Sequence, residues 1–174
     1  GVIRLSFFAA HTGPVPCSLE VLGVQLHGET GREILLAIVA KECGANAVKL
    51  QKRDNRTMFT KEMFDSPYMH RNSYAPTYGE HREKLEFTKA QHLELIAHAK
   101  KVGVTFFSTA FDISSADFLA DLDMPAYKIA SGDIINIPLL RHVAKIGKPM
   151  IISTGGATMD DVVRAYRTVM PINP

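Results

Sequence analysis

Pro125-Ala126-Tyr127-Lys128-Ile129-Ala130-Ser131-Gly132-Asp133 sets a cation, a hydroxyl and a carboxylate side by side at the end of an apolar strand. Successive side chains of a strand point to opposite faces, so Lys128 and Ala130 project to one side and Tyr127, Ile129 and Ser131 to the other. A lysine inside such a run is costly unless something anionic meets it. Ser131-Gly132 then offers a turn whose backbone N–H groups can face an anion, and Asn136 with Pro138 opens a helix. Strand, polar turn and helix in that order form the unit that carries chemistry in parallel α/β folds.

The same unit recurs on both sides. Upstream, Ser18 to Val24 reads as a strand and Thr30-Gly31-Arg32-Glu33 as a capping box. A helix follows from Glu33 to Cys43, Gly44 stops it, and Ala45 to Gln51 is a strand carrying Lys49. From Lys52 to Phe87 the pattern breaks into a long irregular segment, which the aromatics Tyr68, Tyr74 and Tyr78 mark as an ordered loop. Thr88-Lys89-Ala90-Gln91 caps a second helix with an inner stripe of Leu93, Ile96, Ala97 and Val102, and Gly103 closes it. Val104 to Ala110 is the next strand, and Ser114-Ser115-Ala116-Asp117 reads as the cap of a third helix. Downstream come a helix over Ile137–Ile146, a strand over Pro149–Thr154 and a helix capped by Thr158-Met159-Asp160-Asp161.

Strand and helix thus alternate about five times with short connections, which calls for parallel strands and right-handed crossovers. An open doubly wound sheet and part of a (β/α)8 barrel of the TIM type both satisfy that pattern. The barrel takes priority because polar residues recur at strand C-terminal ends: Lys49 and Gln51, Ser108 and Thr109, Lys128 and Ser131, Ser153 and Thr154. A complete barrel of this kind takes about 250 residues. The 174 residues here therefore correspond to its N-terminal portion, with residues 17–174 as partial barrel and 1–16 as a tail or leading strand.

Composition bounds the rest. With 46% hydrophobic and 22% charged residues the chain is an ordinary globular one, and a net charge of +2 without a basic block excludes a dedicated nucleic-acid surface. The run Leu5-Ser6-Phe7-Phe8-Ala9-Ala10 is too short for a membrane span. The two cysteines, Cys17 and Cys43, match no metal motif and no disulfide framework, which points to reduced thiols and a cytoplasmic setting.

The run Lys128-Ile129-Ala130-Ser131-Gly132-Asp133, with Asn136 and Pro138-Leu139-Leu140, resembles the signature of the sialic acid synthase family. The likeness continues in Ala40-Lys41-Glu42-Cys43-Gly44-Ala45 with Lys49 and Gln51, in Thr77-Tyr78-Gly79-Glu80-His81 with Leu85-Glu86-Phe87, and in Ile152-Ser153-Thr154-Gly155. It implies condensation of phosphoenolpyruvate with N-acetylmannosamine or a related amino sugar: the enol C3 attacks the sugar aldehyde, polarised by a divalent metal (Mn or Mg), then water adds at C2 and phosphate leaves. By the same resemblance Lys49, Thr109, Lys128, Ser131 and Ser153 hold phosphoenolpyruvate, Gln51 and Asp133 contact the sugar, and Asn72 is a further sugar contact. A phosphate and a carboxylate on one small enol call for about two cations with hydroxyl and backbone donors, which those residues supply.

The chain departs from the family at its first strand. Aligning on Gly23 and Gly28 puts Val21 where the family has a glutamate, and Gln25 and Leu26 where it has an Asn-His pair. Glu20 is the candidate catalytic carboxylate, one place off, and a local bulge would be needed to turn it to the site. The family's two metal-binding histidines belong to later strands, so no metal ligand is assigned in this stretch. The family also implies a homo-oligomer, a dimer in which one chain's C-terminal domain covers the other's barrel. Turnover by this stretch alone is not expected unless a partner completes the barrel. Two other functions fit the residues: a non-catalytic ligand-binding or assembly module of the same fold, and another phosphoenolpyruvate-dependent keto-acid synthase.

Structural roles compete at each position. Lys49 and Lys128 could snorkel to solvent, Ser108, Thr109 and Ser153 could cap the following helices, and Asp133 could pair with a lysine. His92 and His98 read as helix surface, His81 as a structural hydrogen-bonder, and Met58, Met63 and Met69 as packing.

Overall fold

The computed structural model describes residues 39–71 and 73–174. Glu20, Val21, Cys17, Asn72 and the segment 1–16 lie outside the described residues. Among those described, four strands form one sheet: β1 (Ala47–Lys52), β2 (Thr105–Ala110), β3 (Tyr127–Ile129) and β4 (Met150–Ile152), in the order β1-β2-β3-β4. Ser108 and Thr109 pair in parallel with Tyr127 and Lys128, and Lys128 and Ile129 with Ile151 and Ile152. Thr105 N donates to Asn46 O and Phe111 N to Lys52 O, a constant offset that only parallel strands give. Neighbours in sequence are neighbours in the sheet throughout, with no reversal of direction. A doubly wound sheet has such a reversal and a (β/α)8 barrel does not, so the chain is part of a barrel of the TIM type.

The described residues fall into two compact units, those up to Leu50 with Phe59–Phe106, and Gln51–Met58 with Phe107–Pro174. In the second unit lie the helices α1 (Asn55–Met58), α5 (Ile113–Ala120), α6 (Ile137–Lys145) and α7 (Met159–Val169). In the first lie α2 (Lys61–Phe64), α3 (Tyr78–Glu83) and α4 (Lys89–Val102).

Helix boundaries in the first unit follow local chemistry. Residues 39–42 are helical and end at Gly44, whose φ of 84° is a conformation glycine adopts without strain. Thr88 and Gln91 form the reciprocal capping box of α4, and Gly103 closes it in the left-handed region. The inner face of α4 is His92, Leu95 and Ala99, whereas Leu93 is exposed. The stripe expected from sequence is therefore rotated. His92, expected on the surface, is wholly buried, its ring edge-on to Phe87 at 6.1 Å and Phe106 at 6.4 Å. Helix α4 spends its apolar face on an imidazole because aromatic edges and the Thr88 carbonyl, 3.1 Å from Nδ1, receive it.

The segment read as an irregular loop contains three short helices. Thr60 caps α2 and Thr77 caps α3, and an antiparallel bridge between Pro67 and Thr77 closes the chain between them. Tyr68, Tyr74, Tyr78 and His81 hold this region together: the Tyr74 and His81 rings stack at 5.4 Å, and Tyr68 lies 5.5 Å from Tyr78. His81 is a structural hydrogen-bonder as expected, its Nδ1 accepting from Tyr74 N at 3.2 Å. Burial, with Arg82 and His70 adding to it, holds its pKa below the usual value. Met63 and Met69, expected to pack, are both exposed.

In the second unit Leu119, Tyr127, Ile129, Leu139, Leu140 and Val143 are at most 1% exposed and make the core. Each such side chain contributes about 1.5–3 kcal/mol by leaving water. Helix α5 is capped by Asp112 and not by the Ser114–Asp117 run, because Asp112 Oδ1 accepts from Ser115 N at 2.7 Å and the serines fall inside the first turn. Asn136 caps α6 with Pro138 in its first turn, and Thr158 with Asp161 form the capping box of α7.

Candidate active site

The site is built on one row across the sheet. Register places Thr109, Lys128 and Ile151 side by side on β2, β3 and β4, and the β1–β2 offset lays Gln51 beside Thr109. Residues in register project from the same face, so the Gln51 carboxamide, the Thr109 hydroxyl and the Lys128 ammonium share it. The ladder between β3 and β4 continues one step further, where Ser153 N donates to Ile129 O at 3.2 Å. That step sets Ser153 two residues beyond Ile151, on its side.

After β3 the chain does not run on as strand to Ser131, as the alternation in sequence suggested. Ser131–Asp133 is a 3-10 turn, with Asp133 N donating to Ala130 O at 3.0 Å. The turn folds Ser131 against the β4 loop: a Cβ on Gly155 would sit 3.8 Å from the Ser131 Cβ. Hydroxyls from two strand ends, Thr109 and Ser153, and from one turn, Ser131, thus gather near Lys128 in the second unit. Capping does not account for them, since Asp112 caps α5 and Thr158 caps α7.

Lys128 is 7% exposed, and its Nζ donates to Ile129 O at 2.6 Å. Among the described residues no carboxylate reaches ion-pair distance of it. Burial lowers its pKa, and the Asp133 charge partly restores it. Burial raises the Asp133 pKa, Arg53 and Lys128 pull it back, and Asp112 pushes it up. Lysine and aspartate therefore feel one another within a half-buried patch. Lys49 lies two residues before Gln51 on β1, in the first unit, and is 4% exposed.

Sequence reasoning missed Arg53. It is half-buried, its guanidinium 3.9 Å from the centre of the Phe111 ring, and its Nη2 donates to Gln51 Oε1 at 2.6 Å. The signal was there in the period-two series 49, 51, 53. Among the described residues no three His, Cys, Asp or Glu side chains converge on a metal-sized site. No helix among them is long and apolar enough to cross a membrane.

Residues 36–172 match the family model described as the NeuB family. The chain belongs to the NeuB family. Two NeuB relatives show the range of products. Over 163 residues the chain is 37% identical to N-acetylneuraminate-9-phosphate synthase of Homo sapiens, covering 93% of this chain and 45% of that protein. Over 148 residues it is 34% identical to N,N'-diacetyllegionaminic acid synthase of Campylobacter jejuni, covering 84% and 44%. Comparable identity to enzymes named for different sugars means that identity alone does not choose a sugar. The chain spans less than half the length of these NeuB relatives. The N-acetylneuraminic acid synthetase of Leptospira borgpetersenii, solved in complex with citrate, superposes with a TM-score of 0.69 at 26% identity, over 83% of this chain and 46% of that one.

Proposed function

We propose that the chain is the phosphoenolpyruvate-binding part of a synthase that joins phosphoenolpyruvate to N-acetylmannosamine or a related amino sugar with release of phosphate. The observation that carries this reading is Lys128, an ammonium buried to 7% exposure with no carboxylate partner among the described residues. An unpaired buried charge costs several kcal/mol, by rough measure, unless an anion comes to meet it. A phosphate or carboxylate ligand supplies that anion, and the Thr109, Ser131 and Ser153 hydroxyls beside it supply neutral donors.

Phosphoenolpyruvate binding, in this reading, rests on Lys128 and Lys49, the two cations assigned from sequence. Holding the phosphate against fixed donors stabilises the charge that gathers on it as the C2–O bond breaks. Gln51 and Asp133 meet the sugar, with Asn72 as a further contact and Glu20 as the carboxylate that manages water. Residues 17–174 as the barrel portion, a dimeric cytoplasmic whole protein and a requirement for Mn or Mg belong to the same proposal.

Calorimetric titration with phosphoenolpyruvate, with and without manganese, tests it. Saturable binding that disappears in Lys128→Met is the expected result. Equal binding by wild type and variant would sink the assignment of Lys128, and no binding by either would sink the functional reading for this chain.

A further inference from the structure

We propose that Arg53 is a positioning residue that fixes which end of the Gln51 carboxamide faces the sugar, so that Gln51 acts as a hydrogen-bond donor to an oxygen of the substrate. The inference rests on the proposed function, in which Gln51 meets the sugar, and goes beyond it in naming the atom presented and the group that sets it.

A glutamine amide carries an acceptor at one corner and donors at the other, and unguided it can present either. Here Oε1 accepts from Arg53 Nη2 at 2.6 Å, a charge-assisted bond. That contact turns Nε2 away from Arg53. Arginine is itself held: its guanidinium carbon sits over the Phe111 ring, 3.9 Å from the centroid, and the Phe111 N–H is tied to Lys52 O at 3.3 Å. A planar fork stacked on an aromatic face keeps its edge N–H groups aimed in one plane, which a lysine at the same place would not. The order of control runs from the β1–β2 ladder through Phe111 and Arg53 to Gln51. Arg53 also acts on the second sugar residue of the proposal, since among the charges around Asp133 it is the foremost one opposing the effect of burial.

An amide fixed this way prefers substrates that offer an oxygen acceptor, such as an acyl carbonyl or a hydroxyl lone pair. Gln51→Glu separates this from simple packing: it keeps the volume and strengthens the pairing with Arg53, yet removes the donor. Steady-state kinetics of the synthase of which this chain is part, with phosphoenolpyruvate and N-acetylmannosamine, should show the KM for the sugar rising about tenfold in both Arg53→Met and Gln51→Glu, with the KM for phosphoenolpyruvate held within about twofold. Arg53→Lys should restore part of the loss, and Arg53→Met added to Gln51→Ala should cost nothing further. An unchanged sugar KM in Arg53→Met, or additivity with Gln51→Ala, would overturn the inference. A second readout needs no turnover: the Gln51 side-chain amide pair in nitrogen–proton NMR spectra should shift in Arg53→Met while backbone signals away from β1 stay in place. An unmoved amide overturns the inference even if the wild type is active, whereas a moved amide in an inactive wild type leaves the positioning standing and removes the proposed function.

Discussion

Lys128 places chemistry and stability in opposition. Its folded pKa lies below the unfolded one because burial disfavours the charged form, so between the two values the unfolded chain holds the extra proton and stability rises with pH. At neutral pH the buried ammonium is a cost. Lys128→Met should therefore leave the melting temperature equal or higher at pH 7 while abolishing phosphoenolpyruvate binding; a melting temperature lower by several degrees would show that the ammonium is a net structural asset. The same depressed pKa makes anion affinity fall at a lower pH than an exposed lysine would allow, which titrations across the alkaline range will read. Asp133 carries the opposite sign. Its folded pKa is raised, chiefly by burial, so its contribution is full below the unfolded value and is lost as pH rises through the folded one. Asp133→Asn should raise stability above the carboxylate range and leave it unchanged in acid, a difference that urea unfolding at two pH values will measure.

Elements were legible where the chain signals its own ends. The capping boxes at Thr88 and Thr158 and the glycine stop at Gly103 stand in the structure where the sequence put them, because their donors and acceptors lie within one turn. Thr88→Ala and Thr158→Ala should each cost about 1 kcal/mol in denaturant unfolding. Helix α5 was misjudged because Asp112, Ser114 and Ser115 all have capping chemistry, and only the fold shows Asp112 accepting from Ser115 N. The short helices α1, α2 and α3 escaped notice because four to six residues are too few for a hydrophobic period to show. One glycine among them is legible only in three dimensions. Gly79 in α3 lies against the buried Phe64 ring, and a Cβ there would overlap ring carbons. Gly79→Ala should thus destabilise by roughly 1–3 kcal/mol through overpacking, against the small gain an alanine gives in an open helix. A stabilised Gly79→Ala would show that Phe64 can move aside.

Across the whole molecule, alternation of strand and helix specified a parallel sheet, but only the strand order without reversal separated barrel from doubly wound sheet. The candidate site was legible in the same way: Gln51, Thr109 and Lys128 were named from polar strand ends and the family resemblance, while their alignment in one row needed the register. Arg53 was not named, since the period-two series that reaches it does not show that a strand-end arginine will sit over Phe111. Ligand binding should be felt by the fold as a unit, with phosphoenolpyruvate at a hundred times its Kd adding about 2.7 kcal/mol of stability, visible as a raised melting temperature.

The face opposite that row carries Ser108 and Tyr127, paired in register, whose hydroxyls are buried and find no hydrogen-bond partner among the described residues. Burial pushes the Tyr127 phenol up to about 12. Tyr127→Phe should accordingly gain about 1 kcal/mol without touching ligand affinity, which melting and titration of the one variant will check together. Because adjacent positions on β2 and β3 answer to different sides of the sheet, robustness can be accumulated on one side while selectivity is rewritten on the other. The strands thereby decouple two kinds of evolutionary change at a spacing of a single residue.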